Sequence, residues 1–160
     1  LEFLEGPIPR KYLGGQLAYF ALWLGVTIIG ACLHASPDGH GTHQELGLPP
    51  CPSVLFFDRP CPGCGLTTSW TALIHGDIPA AFHAHLLGPP LYLLFTVTAL
   101  ACGYGWLKGA RLLTEKKWFN RSLTVFTIVF MAYGIGRMAL TTHFANRTER
   151  MYSELIRATR

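Results

Sequence analysis

Hydrophobic positions along this chain gather into three long runs separated by stretches of different texture. Leu13 to Leu33 reads LGGQLAYFALWLGVTIIGACL, with Gln16 its one strongly polar residue. Leu86 to Leu107 reads LLGPPLYLLFTVTALACGYGWL, and Ser122 to Leu140 reads SLTVFTIVFMAYGIGRMAL. At about 1.5 Å of rise per residue, some twenty residues cross roughly 30 Å of hydrocarbon. The pattern therefore predicts spanning helices over 13–33, 86–107 and 122–141. Buried helices of a soluble core are the competing interpretation, and three such runs in 160 residues weigh against it. Pro89 and Pro90 fall in the first turn of the second run, where a missing N–H is harmless. Arg137 interrupts the third run near its end and is read as snorkelling toward headgroups, with a buried functional arginine as the alternative. Gly134 and Gly136 beside it would let a neighbouring helix approach closely.

The texture changes between the first two runs. Leu66, Trp70, Leu73 and Ile74 recur at helical spacing, as do Ile78, Ala81, Phe82, His85 and Leu86. Two short interfacial helices are expected near 62–75 and 78–86, apolar faces toward lipid. Pro62 suits a first helical position, with Thr67, Thr68 or Ser69 as caps if Gly65 keeps the start irregular. Gly76 would close the first helix and Asp77 cap the second, a structural corner. Beyond the third run, Phe144, Thr148, Met151, Tyr152, Leu155 and Ile156 fall on one side of a helical wheel. Arg147, Glu149, Arg150, Glu154, Arg157 and Arg160 fall on the other. Such a tail, over 142–160, lies in the membrane interface or docks on a partner. The expected fold is all-α: a polytopic membrane protein in one domain, 1–160, with an N-terminal segment over 1–12 and a cysteine module over 34–85.

Composition sharpens this picture. Half the residues are hydrophobic and 14% are charged, against about a quarter charged in a soluble domain. The net charge is +4, but no basic patch interleaved with aromatics suggests nucleic acid. The chain starts at Leu1, which reads as a trimmed or incomplete start, and no cleavable signal peptide is recognisable. From 34 to 85 the only Lys or Arg is Arg59, whereas Lys108, Arg111, Lys116, Lys117 and Arg121 lie between the second and third runs. With Arg10 and Lys11, and Trp118 as an anchor of the third run, this places the N-terminus and second loop in the cytoplasm. The cysteine loop then faces outward. Three crossings put the tail outward too, in conflict with Arg147, Arg150, Arg157 and Arg160.

Candidate chemistry sits in CPSVLFFDRPCPGCGLTTSW, from Cys51 to Trp70. Three interpretations stay open. Disulfides among Cys32, Cys51, Cys61 and Cys64 would staple a loop with little core, as suits an oxidising compartment. A metal, zinc or copper(I), could be held by Cys51, Cys61 and Cys64 with His75, His83 or His85 as fourth ligand, His75 foremost. A redox pair would use Cys61 as attacking thiol, activated by a helix N-terminus, and Cys64 as resolving thiol. Cys102 reads as a packing residue. His34, His40 and His43 read as solvated loop residues, with shared metal ligation the less favoured option; His83 and His85 read as solvated tips. No catalytic carboxylates, Ser-His-Asp order or phosphate loop is visible.

The run from Cys51 to Gly88 resembles a bacterial family of small membrane proteins of unknown function. The resemblance rests on Cys51, Pro52, Cys61, Pro62, Cys64, Gly65, Thr67, Gly76 and Asp77 and covers about residues 51 to 107. Two departures stand out: Thr68 replaces the family's arginine, and His85-Leu86-Leu87 replaces Asn-Pro-Leu. The resemblance implies the membrane architecture and no activity. The favoured expectation is an accessory or scaffolding subunit of a larger inner-membrane complex, contacting lipid and other subunits. A thiol-disulfide oxidoreductase and a metal-binding module are the alternatives.

Overall fold

A computed structural model describes residues 4–5, 9, 12–112 and 117–158, with the side chains of 4, 5, 112 and 117–119 excepted. The orientation residues Arg10, Lys11 and Lys116, the tail residue Arg160, and the side chains of Lys117 and Trp118 lie outside the described residues. The protein is an all-α polytopic membrane protein. Its helices are α1 (Gly14–Cys32), α2 (Pro52–Phe57), α3 (Leu66–Ile74), α4 (Ile78–Ala84), α5 (Gly88–Lys108), α6 (Lys117–Leu140) and α7 (Arg147–Ala158), with a 3-10 turn at Thr42–Leu46. Three helices are long and apolar enough to cross a bilayer: Gly14–Cys32, Gly88–Lys108 and Asn120–Leu140. Leu22, Ile28, Val97, Val125, Ile128 and Ile135 on these helices are all more than half exposed, as lipid-facing positions must be.

Spanning helices gain nothing by hiding leucine from lipid, so packing and interhelical hydrogen bonds hold them together. Between α1 and α5, Trp23 Nε1 donates to Thr96 Oγ1 at 3.1 Å, and the Thr27 and Tyr92 hydroxyls lie 3.0 Å apart. Gln16, the polar residue of the first run, donates to the Cys102 and Ala110 carbonyls, both at 3.3 Å. Cys102 itself is buried in α5. At the same end, Leu4–Glu5 pairs antiparallel with Arg111–Leu112. The N-terminal segment and the α5–α6 connection therefore share one side.

The cysteine module caps the opposite end. The Pro62 start of a helix is not what forms: residues 62–65 make turns, and α3 begins at Leu66 after Gly65. Gly65 has φ +85°, and an added Cβ would collide with the Ala84 carbonyl oxygen and lie 2.8 Å from that of Gly39. No side chain fits there, so the right-handed helix cannot extend back through it. Gly76 has φ +83°, and the Asp77 carboxylate accepts from the Ala80 N–H at 3.0 Å. The helix α2, where the sequence predicted no element, starts with Pro52 in its first turn and stops at Asp58 in the left-handed region. Inside the module, α3 buries Thr68, Ser69, Thr71 and Ala72 rather than its large apolar residues. Small side chains let Gly30 of α1 come so close that a Cβ there would sit 2.6 Å from Ile74 Cδ1.

Candidate metal and thiol site

Cys51 ends the loop before α2, while Cys61 and Cys64 flank the tight turn ahead of Gly65. The 3.0 Å bond from the Cys64 N–H to the Cys61 carbonyl closes that turn. Sγ atoms of all three cysteines lie within 4.8 Å of one another. Cys61 Sγ is 3.3 Å from Cys64 Sγ. They belong to a small core with Val54 of α2 and Phe144 and Ala145 of the α6–α7 link. A cleft of about 320 Å³ opens onto the thiols, its wall including His40, His43, Thr67, Thr68 and Glu149.

The three sulfurs are electrostatically unequal. Burial pushes the Cys61 thiol up, but hydrogen bonds from the Cys64 and Cys51 thiols and from the Gly63 and Cys64 N–H groups outweigh it. The Cys61 pKa ends below its ordinary value. Burial, then the hydrogen bond to Cys61, drives Cys64 strongly upward. The helix N-terminus invoked for Cys61 is too far along the chain for this role; neighbouring thiols and turn amides supply the stabilisation instead.

Several residues sit differently from their sequence-based expectation. Arg137 does not snorkel: its guanidinium donates to the carbonyls of Cys64 at 2.6 Å and Ala84 at 3.2 Å, and stacks 5.2 Å from the Phe144 ring centroid. Those carbonyls end the cysteine turn and α4, and among the described residues no backbone N–H donates to them. His85 is no solvated tip: it is 1% exposed, 5.5 Å from the Phe130 ring, and bonded to the Pro62 carbonyl at 3.1 Å. Burial, and after it the charge of Arg137, pushes its imidazole below the usual value. His40 is likewise no solvated loop residue. It is 5% exposed, and its Nε2 lies 2.9 Å from Glu149 Oε2. Glu149, expected on the polar face of the tail, is 1% exposed and also accepts from Gln44 and the Asn146 N–H. The tail docks on its own chain, α7 against α2, because an acidic residue finds a complete set of donors in the module.

Of the other site candidates, Cys32 is exposed at the end of α1, and Cys32, Cys51, Cys61 and Cys64 carry free thiols in this structure. His75 is not part of the thiol cluster; its Nδ1 lies 2.8 Å from the Thr71 carbonyl of its own helix. Thr68 is buried and accepts from the Thr42 hydroxyl at 2.9 Å. Sequence offered no sign of the Glu149–His40 pair, whose members are 109 residues apart. Arg137 gave one: a charge in an apolar run needs a partner.

Residues 51–99, less than half of the chain, match the model of a family described as a protein of unknown function, DUF2752. The match contains all three clustered cysteines and the first half of α5. No curated protein and no solved structure matches the chain.

Proposed function

We propose that this protein is a small multi-pass protein of the bacterial inner membrane whose extracytoplasmic module binds a soft metal ion, zinc or copper(I), through Cys51, Cys61 and Cys64. The convergence of the three sulfurs within 4.8 Å carries this reading. Zinc–sulfur bonds of about 2.3 Å put tetrahedral ligand sulfurs about 3.8 Å apart, so at most about 1 Å of contraction is required. Thiolate is the ligand both ions accept. Binding would expel the thiol protons of Cys51, Cys61 and Cys64. An accessory role in a larger complex fits a module of this kind, with lipid or other subunits covering the spanning helices. The tail is anchored on its own chain through Glu149, while Met151, Tyr152 and Leu155 stay exposed for lipid or a partner.

The test is elemental analysis of the full chain purified in detergent without a chelator, from cells supplied with zinc or copper. About one ion per chain, lost on Cys61→Ser, is expected. Substoichiometric metal with three alkylatable thiols overturns it.

One observation favours a second reading, thiol–disulfide exchange: the 3.3 Å separation of the Cys61 and Cys64 sulfurs. The Cys61 thiolate would attack a partner disulfide and release one partner thiolate. Cys64, losing its proton, would then displace the other, leaving the two electrons on the partner and a Cys61–Cys64 disulfide here. Cys64→Ser should trap the mixed disulfide under non-reducing conditions. Absence of both the trapped species and the Cys61–Cys64 disulfide in the unreduced protein rejects this reading.

A further inference from the structure

Three thiols leave a zinc ion one ligand short of the four that a closed tetrahedral site requires. The other histidines are placed elsewhere. His34 faces Glu45, His143 faces Asp58, and His40 uses both ring nitrogens on Asp38 and Glu149. His75 and His85 each bond one carbonyl, of Thr71 and Pro62, through a single ring nitrogen; His85 Nδ1 is buried without a hydrogen-bond partner among the described residues, but neither histidine lines the thiol cleft. Among the described residues, the His43 and His83 imidazoles have no hydrogen-bond or ion-pair partner. Of these two, only His43 stands on the wall of the thiol cleft.

Backbone placement strengthens the assignment. His43 lies in the 3-10 turn Thr42–Leu46, entered and left through Gly41 and Gly47 at φ +89° and +76°. Its neighbours on either side are pinned to the module. Thr42 bonds Thr68 at 2.9 Å, and Gln44 donates to Glu149 at 2.9 Å. The half-buried imidazole between them is thus anchored on the wall of the thiol cleft, with no hydrogen-bond partner among the described residues. It is not yet within the 4.8 Å cluster, so side-chain rotation must bring it in.

We infer that His43 is the fourth ligand, making the site a Cys3His zinc centre rather than a three-coordinate copper(I) site. This rests on the three-thiol reading above and names its metal and its remaining ligand. A neutral imidazole added to three thiolates leaves a zinc complex of net charge −1. The guanidinium of Arg137, bonded to the Cys64 carbonyl, is the nearby compensating charge.

The experiment is titration of the full detergent-solubilised chain, reduced and metal-free, with cobalt(II) as spectroscopic probe and zinc as competitor. Wild type and His83→Ala should both show sulfur-to-cobalt charge transfer and intense tetrahedral visible bands. His43→Ala should keep the charge transfer, shift the visible bands, and weaken binding by at least about tenfold. His43→Cys should restore tight binding with a four-sulfur spectrum, which separates ligand loss from misfolding. If His43→Ala matches wild type in spectrum and affinity, the His43 assignment is overturned while the thiol site stands. If wild type gives no charge-transfer band, the thiol metal site falls, and this inference with it.

Discussion

Glu149 and His40 are the clearest case of a residue whose partner decides its meaning. Burial alone would lower His40, yet its bond to Glu149 and the attraction between them leave its pKa raised. Burial alone would raise Glu149, yet His40, the Asn146 N–H and Gln44 leave it lowered. The raised histidine adds stability that is complete below its unfolded value of about 6.5 and lost as pH rises through the higher folded value. The lowered carboxylate adds stability that is complete above about 4.5 and lost as pH falls through its lower folded value. Their joint contribution therefore peaks between about pH 4.5 and 6.5. Glu149→Gln should destabilise by about 2 kcal/mol near pH 5.5, in line with a buried charge-assisted bond. Thermal unfolding in detergent should show that deficit shrinking as pH rises through the raised value of His40; a deficit independent of pH would mean the pair is not ionic. Nothing in the local sequence announced this pair. A helical wheel assigns Glu149 to water because it knows only the helix, and its side-chain partners His40 and Gln44 belong to a loop more than a hundred residues earlier.

Elements were legible where a local rule governs them. Apolar length gave the spanning helices, and turn chemistry gave the Gly76–Asp77 corner region between α3 and α4. An irregular start at Gly65 was offered only as an alternative, because what imposes it, the distant Ala84 and Gly39 carbonyls, is not visible in the local sequence, and α2 was not anticipated. Two glycines of nearly equal φ make the point testable. Gly76 has φ +83° and nothing within 4 Å of an added Cβ, whereas Gly65 at φ +85° is hemmed in by backbone. Gly76→Ala should cost about 1 kcal/mol, the left-handed penalty alone. Gly65→Ala adds a collision that backbone must move to relieve, and should open the cysteine turn. Alkylation of Cys64 under native conditions reads this directly: near wild-type rates for Gly76→Ala, and at least a tenfold rise for Gly65→Ala. The contact of α6 with the turn offers a parallel test. An added Cβ on Gly134 would come 2.6 Å from Pro62 Cα, so Gly134→Val should force α6 away and weaken the Arg137 bonds. Gly136→Val, with open space around it, should leave Cys64 protected.

For the molecule as a whole, lipid as solvent inverts the usual rule of burial. Around the module, Ile78, Phe82 and Leu86 are exposed while Thr68, Ser69 and Thr71 are buried. On α7, Met151, Tyr152 and Leu155 face outward while Glu149 turns in. An amphipathic stripe in such a chain marks the side away from the core, and the apolar residues named by the wheel of the tail are exposed as an interfacial or partner-facing stripe would be, with Glu149 the departure on the polar side. The same solvent fixes the connectivity. Arg59 donates to the Met138 and Ala139 carbonyls at 3.2 and 3.1 Å, so the end of α6 and the cysteine module share a side. The N-terminal pairing with Arg111–Leu112 is at the far end of α5. Three crossings therefore put the arginine-rich tail beside the thiols, whichever way the protein faces. The excess of Lys and Arg between α5 and α6 is the reason for proposing that this far end is cytoplasmic, since short loops near spanning helices govern orientation. The tail carries its own neutralising acids, Glu149 and Glu154, and part of its charge is engaged locally, as where Arg150 Nε donates to the Ala145 carbonyl at 3.0 Å. In intact cells, Ser153→Cys should react with a membrane-impermeant maleimide, and Asn120→Cys should react only after permeabilisation. Both positions lie outside the hydrocarbon segments or at their margin, so reactivity reports side rather than depth. The reverse pattern would place the thiols in the reducing cytoplasm, removing the disulfide reading and leaving the metal site intact.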